Sequence, residues 1–396
     1  MRIKRAGAVA AIAAASVLAL AMTFVTHSGS AEADVNEQVI FAKGDAGYGC
    51  FRIPAIVRAG NDDLIAFAEG RNSADCGDVG DIDLVMRRSA DDGRTWGDIE
   101  VVNGGSENNW ANPVPILDEE SGRLVLVTVH NPAGDSRPRI PHVQTSDDDG
   151  NTWTEPRSLE TDLAELGEWG HFASGPGGGI QLTRGENAGR LVVGINYSVT
   201  EEDHAAGLIY SDDQGESWQV GAQDVIDGGA IIPQELSLVE LTDGGIYAVA
   251  RENGNPDPAN PVRAVAVGEP GGESWAAPFE AEPDLPGTKQ VQGSALRLRA
   301  SDTGDAYDRI IFAAPTYGTL RKDMTIRSSF DEGGTWQTVS EGTQITDSRA
   351  GYSNMTLLAN GEIGLVYEGG AYPDGDANDT IRFASFTEED LGLPDN

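Results

Sequence analysis

SDDDGNTW, residues 146–153, returns three more times with small changes: SADDGRTW at 89–96, SDDQGESW at 211–218 and SFDEGGTW at 329–336. A worn copy, GEPGGESW, stands at 268–275. The acidic run before Gly invites a calcium reading, but an EF-hand loop needs Gly at its sixth position and a carboxylate at its twelfth. Counted from Asp147, Gly150 is fourth and Ser158 is twelfth, so the match fails. The octapeptide reads instead as a hairpin turn. Ser and Asp side chains bond the turn backbone, Gly takes a positive φ, and Trp packs beneath.

A second repeat runs in phase with the first. Six short apolar runs follow turn residues: DDLIAFAEG (62–70), GRLVLVTVH (122–130), GRLVVGINY (189–197), GGIYAVARE (244–252), DRIIFAAPT (308–316) and GEIGLVYEG (361–369). Each reads as a buried strand. In the first five units the Trp of the box falls 26 to 32 residues after the strand's first apolar residue. The sixth unit has no box and ends in IRFASF, 381–386. Helical periodicity is weak throughout. Six all-β units of about sixty residues predict one domain over 34–396, a six-bladed β-propeller with four-stranded antiparallel blades. In that geometry chemistry belongs at the ends of the inner strands and in the loops beside them.

The first 33 residues stand apart. Arg2, Lys4 and Arg5 precede an Ala/Val/Leu-rich run from Ala6 to Val25, and Ala31-Glu32-Ala33 follows. This is the pattern of a secretory signal peptide with an A-x-A cleavage site. The apolar run is barely long enough to span a bilayer, and no other long apolar run exists, so no stable membrane insertion is expected. The net charge of −37 argues against nucleic acid or an anionic membrane as partner. Export permits a disulfide, and Cys50 and Cys76 are the only cysteines. The histidines His130, His142, His171 and His204 are scattered without metal-ligand spacing, so no metal is expected.

The residues between the boxes carry the chemistry. GCFRIPAIV (49–57) sets Arg52 inside an otherwise apolar strand, where it needs a carboxylate partner or an anionic ligand. F-R-I-P near the N-terminus, followed by the repeated boxes, resembles the bacterial sialidases (neuraminidases) over the whole chain after residue 33. The resemblance implies three arginines that bind a substrate carboxylate: Arg52, Arg251 at the end of GGIYAVAR, and Arg321 in TLRKDMTIRSS. Guanidinium forks meet a carboxylate in bidentate geometry, and three of them fix its orientation. Glu368, in GLVYEGG, matches the acidic residue that holds the first arginine.

The resemblance also makes Tyr352, in AGYSNMT, the nucleophile and Glu235, in PQELSLVEL, its base. The anomeric carbon of a sialoside bears a carboxylate, which repels a carboxylate nucleophile; a neutral phenol avoids that clash. A phenol with a pKa of about 10 then needs a base as it attacks. The general acid/base is an Asp in the loop EGRNSADCGDVGDIDLVMRRS: Asp78 by matching back from RRS, with Asp75 as the alternate. Cys50 and Cys76 each stand two residues before a member of this set, so their bridge would tether the Asp78 loop to the Arg52 strand. Asn112, in NWANPVP, matches a polar residue near the sugar's acetamido group, and FASGPGGGI (172–180) is expected to rim the pocket.

These readings imply a secreted, retaining exo-α-sialidase, monomeric and free of cofactors. It acts on sialylated glycoproteins, glycolipids and oligosaccharides through a glycosyl-tyrosine. A trans-sialidase would need an aromatic acceptor platform, for which Trp169 is the loose candidate. A noncatalytic sialoglycan-binding propeller would not need Tyr352, Glu235 and an Asp-rich loop.

Overall fold

The computed structural model describes residues 35–132, 139–198, 203–226, 231–254, 257, 260–287 and 290–394. The expected signal peptide, 1–33, lies outside them. Twenty-four strands and five short 3-10 turns make up the regular structure among the described residues. The fold is all-β, and no described helix is long and apolar enough to cross a membrane.

The strands form four sheets, running antiparallel within each almost throughout. The first joins Cys50–Arg58, Leu64–Arg71, Ile82–Ser89 and Glu100–Asn103 to Asn108–Leu117, Leu124–Pro132, Ile140–Ser146 and Arg157–Ser158. A single parallel pair, Ile82 with Asn109, links its two halves. The second sheet centres on Leu191–Ser198, and the third runs from Pro233–Glu240 to Glu280–Glu282. In the last sheet the fifteen-residue strand Thr343–Leu357 pairs with Lys322–Ser329 early and with Ile363–Gly370 late.

All six apolar runs lie in strands, and Leu64, Leu124, Leu191, Ile246, Ile310 and Ile363 are each 0% exposed. The final unit departs from the expected chain end. Thr380–Phe386 is followed in the sheet by Asn36–Ala42 from the other end of the chain, antiparallel to it. The unit without a box is therefore completed by an N-terminal strand.

The boxes are turns. In each of the four, the Ser Oγ donates to the Asp two residues on and accepts the Gly N–H, as Ser146 does with Asp148 and Gly150. That Asp then accepts from the N–H and hydroxyl of the residue before Trp, as Asp148 does from Thr152 at 2.8 and 2.7 Å. Two left-handed residues make the bend, Asp149 (φ 57°) and Gly150 (φ 76°), where the Gly is favoured because it has no Cβ to clash. Donation from Thr152 holds the Asp148 carboxyl at about 2. Thr95 likewise keeps Asp91 below the usual range. In Asp213 and Asp331 partial burial pushes upward and the same donors outweigh it. A carboxylate held below its unfolded value stabilises the fold fully above that value and stops doing so as pH falls through the folded one. The unfolding midpoint should therefore drop steeply from about pH 4 to about pH 2. The Asp148→Asn variant should lose less over that range, as followed by thermal melts.

Candidate active site

Strands from three of the sheets, Cys50–Arg58, Pro233–Glu240, Ser294–Arg299 and Thr343–Leu357, pack together into a common centre. Ile56 N–H donates to Asn354 at 2.9 Å, Ala295 N–H to Ser237 at 2.9 Å, and the Gln292 amide to Ser353 O at 3.0 Å. At one end of this centre the strands kink in a recurring way. Register shifts fall between Arg52 and Ala55, Ala111 and Val114, Gln234 and Leu236, and Ala350 and Ser353. Three of these bulges carry a left-handed residue: Ile53 (φ 55°), Asn112 (φ 54°) and Glu235 (φ 54°). A β-branched residue such as Ile53 adopts this conformation rarely, at a cost of about 1–3 kcal/mol. Each kinked N–H is received at 3.0 Å by a side chain from a neighbouring strand: Ile53 by Glu368, Asn112 by Glu69, Glu235 by Asn196. Glu69, Asn196 and Glu368 all stand five residues after the first apolar residue of their run, as does Arg251.

The bulges turn side chains into a cavity of about 400 Å³. Its lining includes Arg52, Asp78, Asn112, Glu235, Arg251, Arg321 and Tyr352, so these residues from distant parts of the chain share one site. Glu368 sits just behind it, 0% exposed. Its carboxylate accepts from Arg52 Nε at 2.7 Å and Nη2 at 3.3 Å, and from the N–H groups of Ile53 and Tyr352. Burial alone would raise the Glu368 pKa, but Arg52 and these donors bring it below the ordinary glutamate range.

Tyr352 is the hub. Its hydroxyl donates to Glu235 Oε1 through a very short hydrogen bond, and Arg251 Nη1 donates to the same hydroxyl at 2.9 Å. Arg251 also reaches both Glu235 oxygens, at 3.1 and 3.2 Å. The guanidiniums of Arg52 and Arg321 lie 5.3 and 5.2 Å from the Tyr352 ring centre. Burial, followed by the Glu235 charge, pushes the phenol well above 10, although the three arginines pull the other way. The resting phenol is neutral. Arg321 donates once, to Gln290 O at 2.9 Å, and forms no ion pair among the described residues.

Asp78 stands at the mouth, its side chain 78% exposed. Arg71 Nη1 donates to it at 2.7 Å, and Arg52 Nη1 lies 3.9 Å away. Desolvation at the site works upward on its pKa, but Arg71, Arg52 and Arg139 together hold it below the usual aspartate value. Asp75 does not line the cavity; it caps its own loop, accepting from Ser73 Oγ at 2.8 Å and Gly77 N–H at 3.0 Å. The Cys50–Cys76 disulfide is formed and ties this loop to the Arg52 strand.

Two expectations need correction. Of the 172–180 stretch only Ala173 lines the cavity. The glycines run inward instead: a Cβ on Gly175 would stand 2.7 Å from Val114, and one on Gly179 2.5 Å from Ile116. They permit close packing rather than a rim. Trp169 is no platform either. Its ring packs against Phe172 at 5.5 Å, and its indole N–H donates to Arg139 O at 2.9 Å.

Sequence reading missed Glu69, Arg71, Arg139, His171, Asn196 and Gln234, which also line the cavity. Arg71 links Glu69 to Asp78, and Arg139 donates to Asn112 Oδ1 at 3.2 Å. The Asn112 amide in turn donates to Ser174 O at 3.3 Å. Five arginines against three carboxylates make the cavity cationic within a protein of net charge −37. Such a site can hold an anionic ligand against a neutral phenol hydrogen-bonded to a carboxylate.

Comparison with known proteins agrees with this chemistry. Residues 62–365 match the BNR repeat-like domain. A sialidase of Micromonospora viridifaciens is 30% identical over 373 residues, covering 90% of this chain and 54% of its own length. An exo-alpha-sialidase of Aspergillus fumigatus is also 30% identical, over 85% of this chain and 82% of its own length. This chain thus spans about half of the first relative and most of the second. Among solved structures, the Hadza microbial sialidase Hz136 superposes with a TM-score of 0.76 at 23% identity, over 90% of this chain and 69% of its own. The intramolecular trans-sialidase from Ruminococcus gnavus gives 0.73 at 20%, over 90% and 98%. The all-β fold is therefore sialidase-like, and with half-buried boxes, a clustered arginine set and this kinship the chain belongs to the sialidase family of glycoside hydrolases.

Proposed function

We propose that this protein is a secreted, retaining exo-α-sialidase that hydrolyses terminal sialic acid from glycoconjugates through a glycosyl-tyrosine. The observation that carries the reading is the Tyr352 hydroxyl, hydrogen-bonded to Glu235 and surrounded by Arg52, Arg251 and Arg321. The three guanidiniums take the substrate carboxylate and so hold the anomeric carbon over the phenol. As Tyr352 attacks, its proton passes to Glu235, and Arg251 stabilises the charge that develops between them. Asp78 protonates the departing oxygen, then takes a proton from the water that cleaves the sugar–tyrosine bond. Residues 1–33 act as the export signal, and the four sheets are read as six blades, two of the sheets each comprising a linked pair.

The stereochemical test follows an aryl sialoside by proton NMR. Retention predicts the α-anomer of free sialic acid first, with β appearing later by mutarotation. A β-first product would overturn the mechanism. Adding lactose and searching for a sialylated trisaccharide distinguishes transfer from hydrolysis.

Asp78 supplies a second measurable expectation. Its depressed pKa in the free site leaves little of the acid form at neutral pH. A bound carboxylate offsets Arg52, and the sugar covers Asp78, so substrate itself raises the proton affinity. Asp78→Ala should lower kcat/KM on sialyllactose by roughly 10²–10⁴-fold. It should affect a nitrophenyl sialoside far less, because nitrophenolate leaves without a proton. Equal losses on both substrates would remove Asp78 from the acid role.

A further inference from the structure

Two arginines lie buried with no ion-pair partner among the described residues, behind the wall that carries Arg251 and Arg321; Arg263 feels the Glu235 charge only at longer range. Arg263 is 2% exposed and Arg327 0%. Arg263 sits directly across the strands from Arg251. Its Nη1 donates to Val291 O, while Nε and Nη2 have no acceptor. Arg327 Nη1 reaches Asp284 O at 3.3 Å, and its Nε and Nη2 also have none. Neither forms an ion pair among the described residues.

The two side chains converge. The Arg263 guanidinium lies 5.4 Å from the Phe312 ring centre, and Phe312 is the cross-strand partner of Arg327. Asp284 touches Arg327, while Gly287, three residues on, lies beside Arg263: a Cβ there would stand 3.6 Å from Arg263 Nη2. Burial, followed by repulsion from Arg327, lowers the Arg263 pKa to about 9. Two enclosed guanidiniums with four donor nitrogens idle are strongly unfavourable unless something negative joins them.

We propose that Arg263 and Arg327 form a buried site for a small monovalent anion of the halide class, held against the backbone at Asp284 and Gly287. The near-complete burial of both arginines favours a small monatomic anion over a larger, more strongly hydrated one such as phosphate. The site also leans on the cavity. Gln290 O receives Arg321, and the Gln290 amide lies 3.4 Å from Asn253, which accepts from Arg251 Nη2 at 2.9 Å. Next to Gln290 stands Val291, whose carbonyl receives Arg263. An occupied site would steady two of the cavity arginines as well as the fold.

The test needs no assay of catalysis. Protein prepared chloride-free in gluconate is titrated with bromide at constant ionic strength, so that screening of the −37 net charge does not change. The melting temperature should rise saturably, by about 2 °C or more, because the anion binds only the folded state. Arg327→Met should remove the rise. Crystals soaked in bromide should show an anomalous peak between the two guanidiniums. Superposable melts in gluconate and bromide, a bromide response retained by Arg327→Met, or water alone at that position would each overturn the site. Should Arg327→Met fail to fold, the bromide peak in the unaltered protein decides.

Discussion

Tyr352→Phe should reduce kcat/KM on sialosides by roughly three orders of magnitude or more while leaving the melting temperature nearly unchanged. The change removes one oxygen and nothing else. The ring stays, and with it the contacts to Arg52 and Arg321 at 5.3 and 5.2 Å. Glu235 loses the phenol but keeps both contacts to Arg251, so no buried charge is orphaned. What disappears is the proposed nucleophile, in a site where no carboxylate can easily replace it. Near the carboxylated anomeric carbon, Glu235 would meet like charge. A fluorinated sialosyl donor gives a second readout. It should add one sugar mass to the peptide bearing Tyr352 in the unaltered enzyme and none in Tyr352→Phe. Near-normal turnover by the variant would remove Tyr352 from the reaction, whatever its position.

The repeat and the cluster were legible in the sequence for different reasons. The boxes could be read because each is a local turn whose Ser, Asp and Gly bond one another within five residues. The six runs could be read because each is a short buried strand. Arg52, Arg251, Arg321, Glu235, Tyr352 and Glu368 were found through resemblance, and folding brings them to one cavity or directly behind it. Glu235 precedes Arg251, and Tyr352 precedes Glu368, by sixteen residues, and the spacing has a simple meaning. Gln234 pairs with Arg251, and the Tyr352 N–H meets Glu368, because each pair lies on adjoining strands of a hairpin.

Other features were not legible because they depend on register between distant strands. Nothing local in NEQVIFA says that it pairs with residues 380–386. Glu69 and Asn196 sit in ordinary strand positions and become cavity residues only because neighbouring strands bulge toward them. Their common position, five residues into each apolar run, was the available signal, and comparing the six runs by register would have found it. The glycines of 175–179 misled for the opposite reason. Glycine marks both loose loops and tight packing, and only the neighbours, Val114 and Ile116, distinguish them.

Register also explains why Glu368→Ala should be the most damaging single change outside Tyr352. The Glu368 carboxylate accepts from Arg52 twice, from Ile53 N–H and from Tyr352 N–H. It thus fixes one cavity arginine, the strained bulge beside it and the backbone of Tyr352. Its loss leaves the buried Arg52 guanidinium only the long 3.9 Å contact to Asp78, and leaves two buried N–H groups unpaired. Breaking a buried ion pair from one side costs about 3–5 kcal/mol. Denaturant unfolding should show a loss of that order, and KM should rise while kcat falls. The double variant Arg52→Met/Glu368→Met separates structure from function. With neither charge present, much of the stability should return, because two apolar side chains replace a desolvated pair. Part should stay lost, since the N–H groups of Ile53 and Tyr352 still have no acceptor. Activity should not return at all, because the carboxylate clamp lacks an arginine and the bulge lacks its anchor. If Glu368→Ala unfolds within about 1 kcal/mol of the unaltered protein, the pair behaves as an exposed one and this account of the site is wrong.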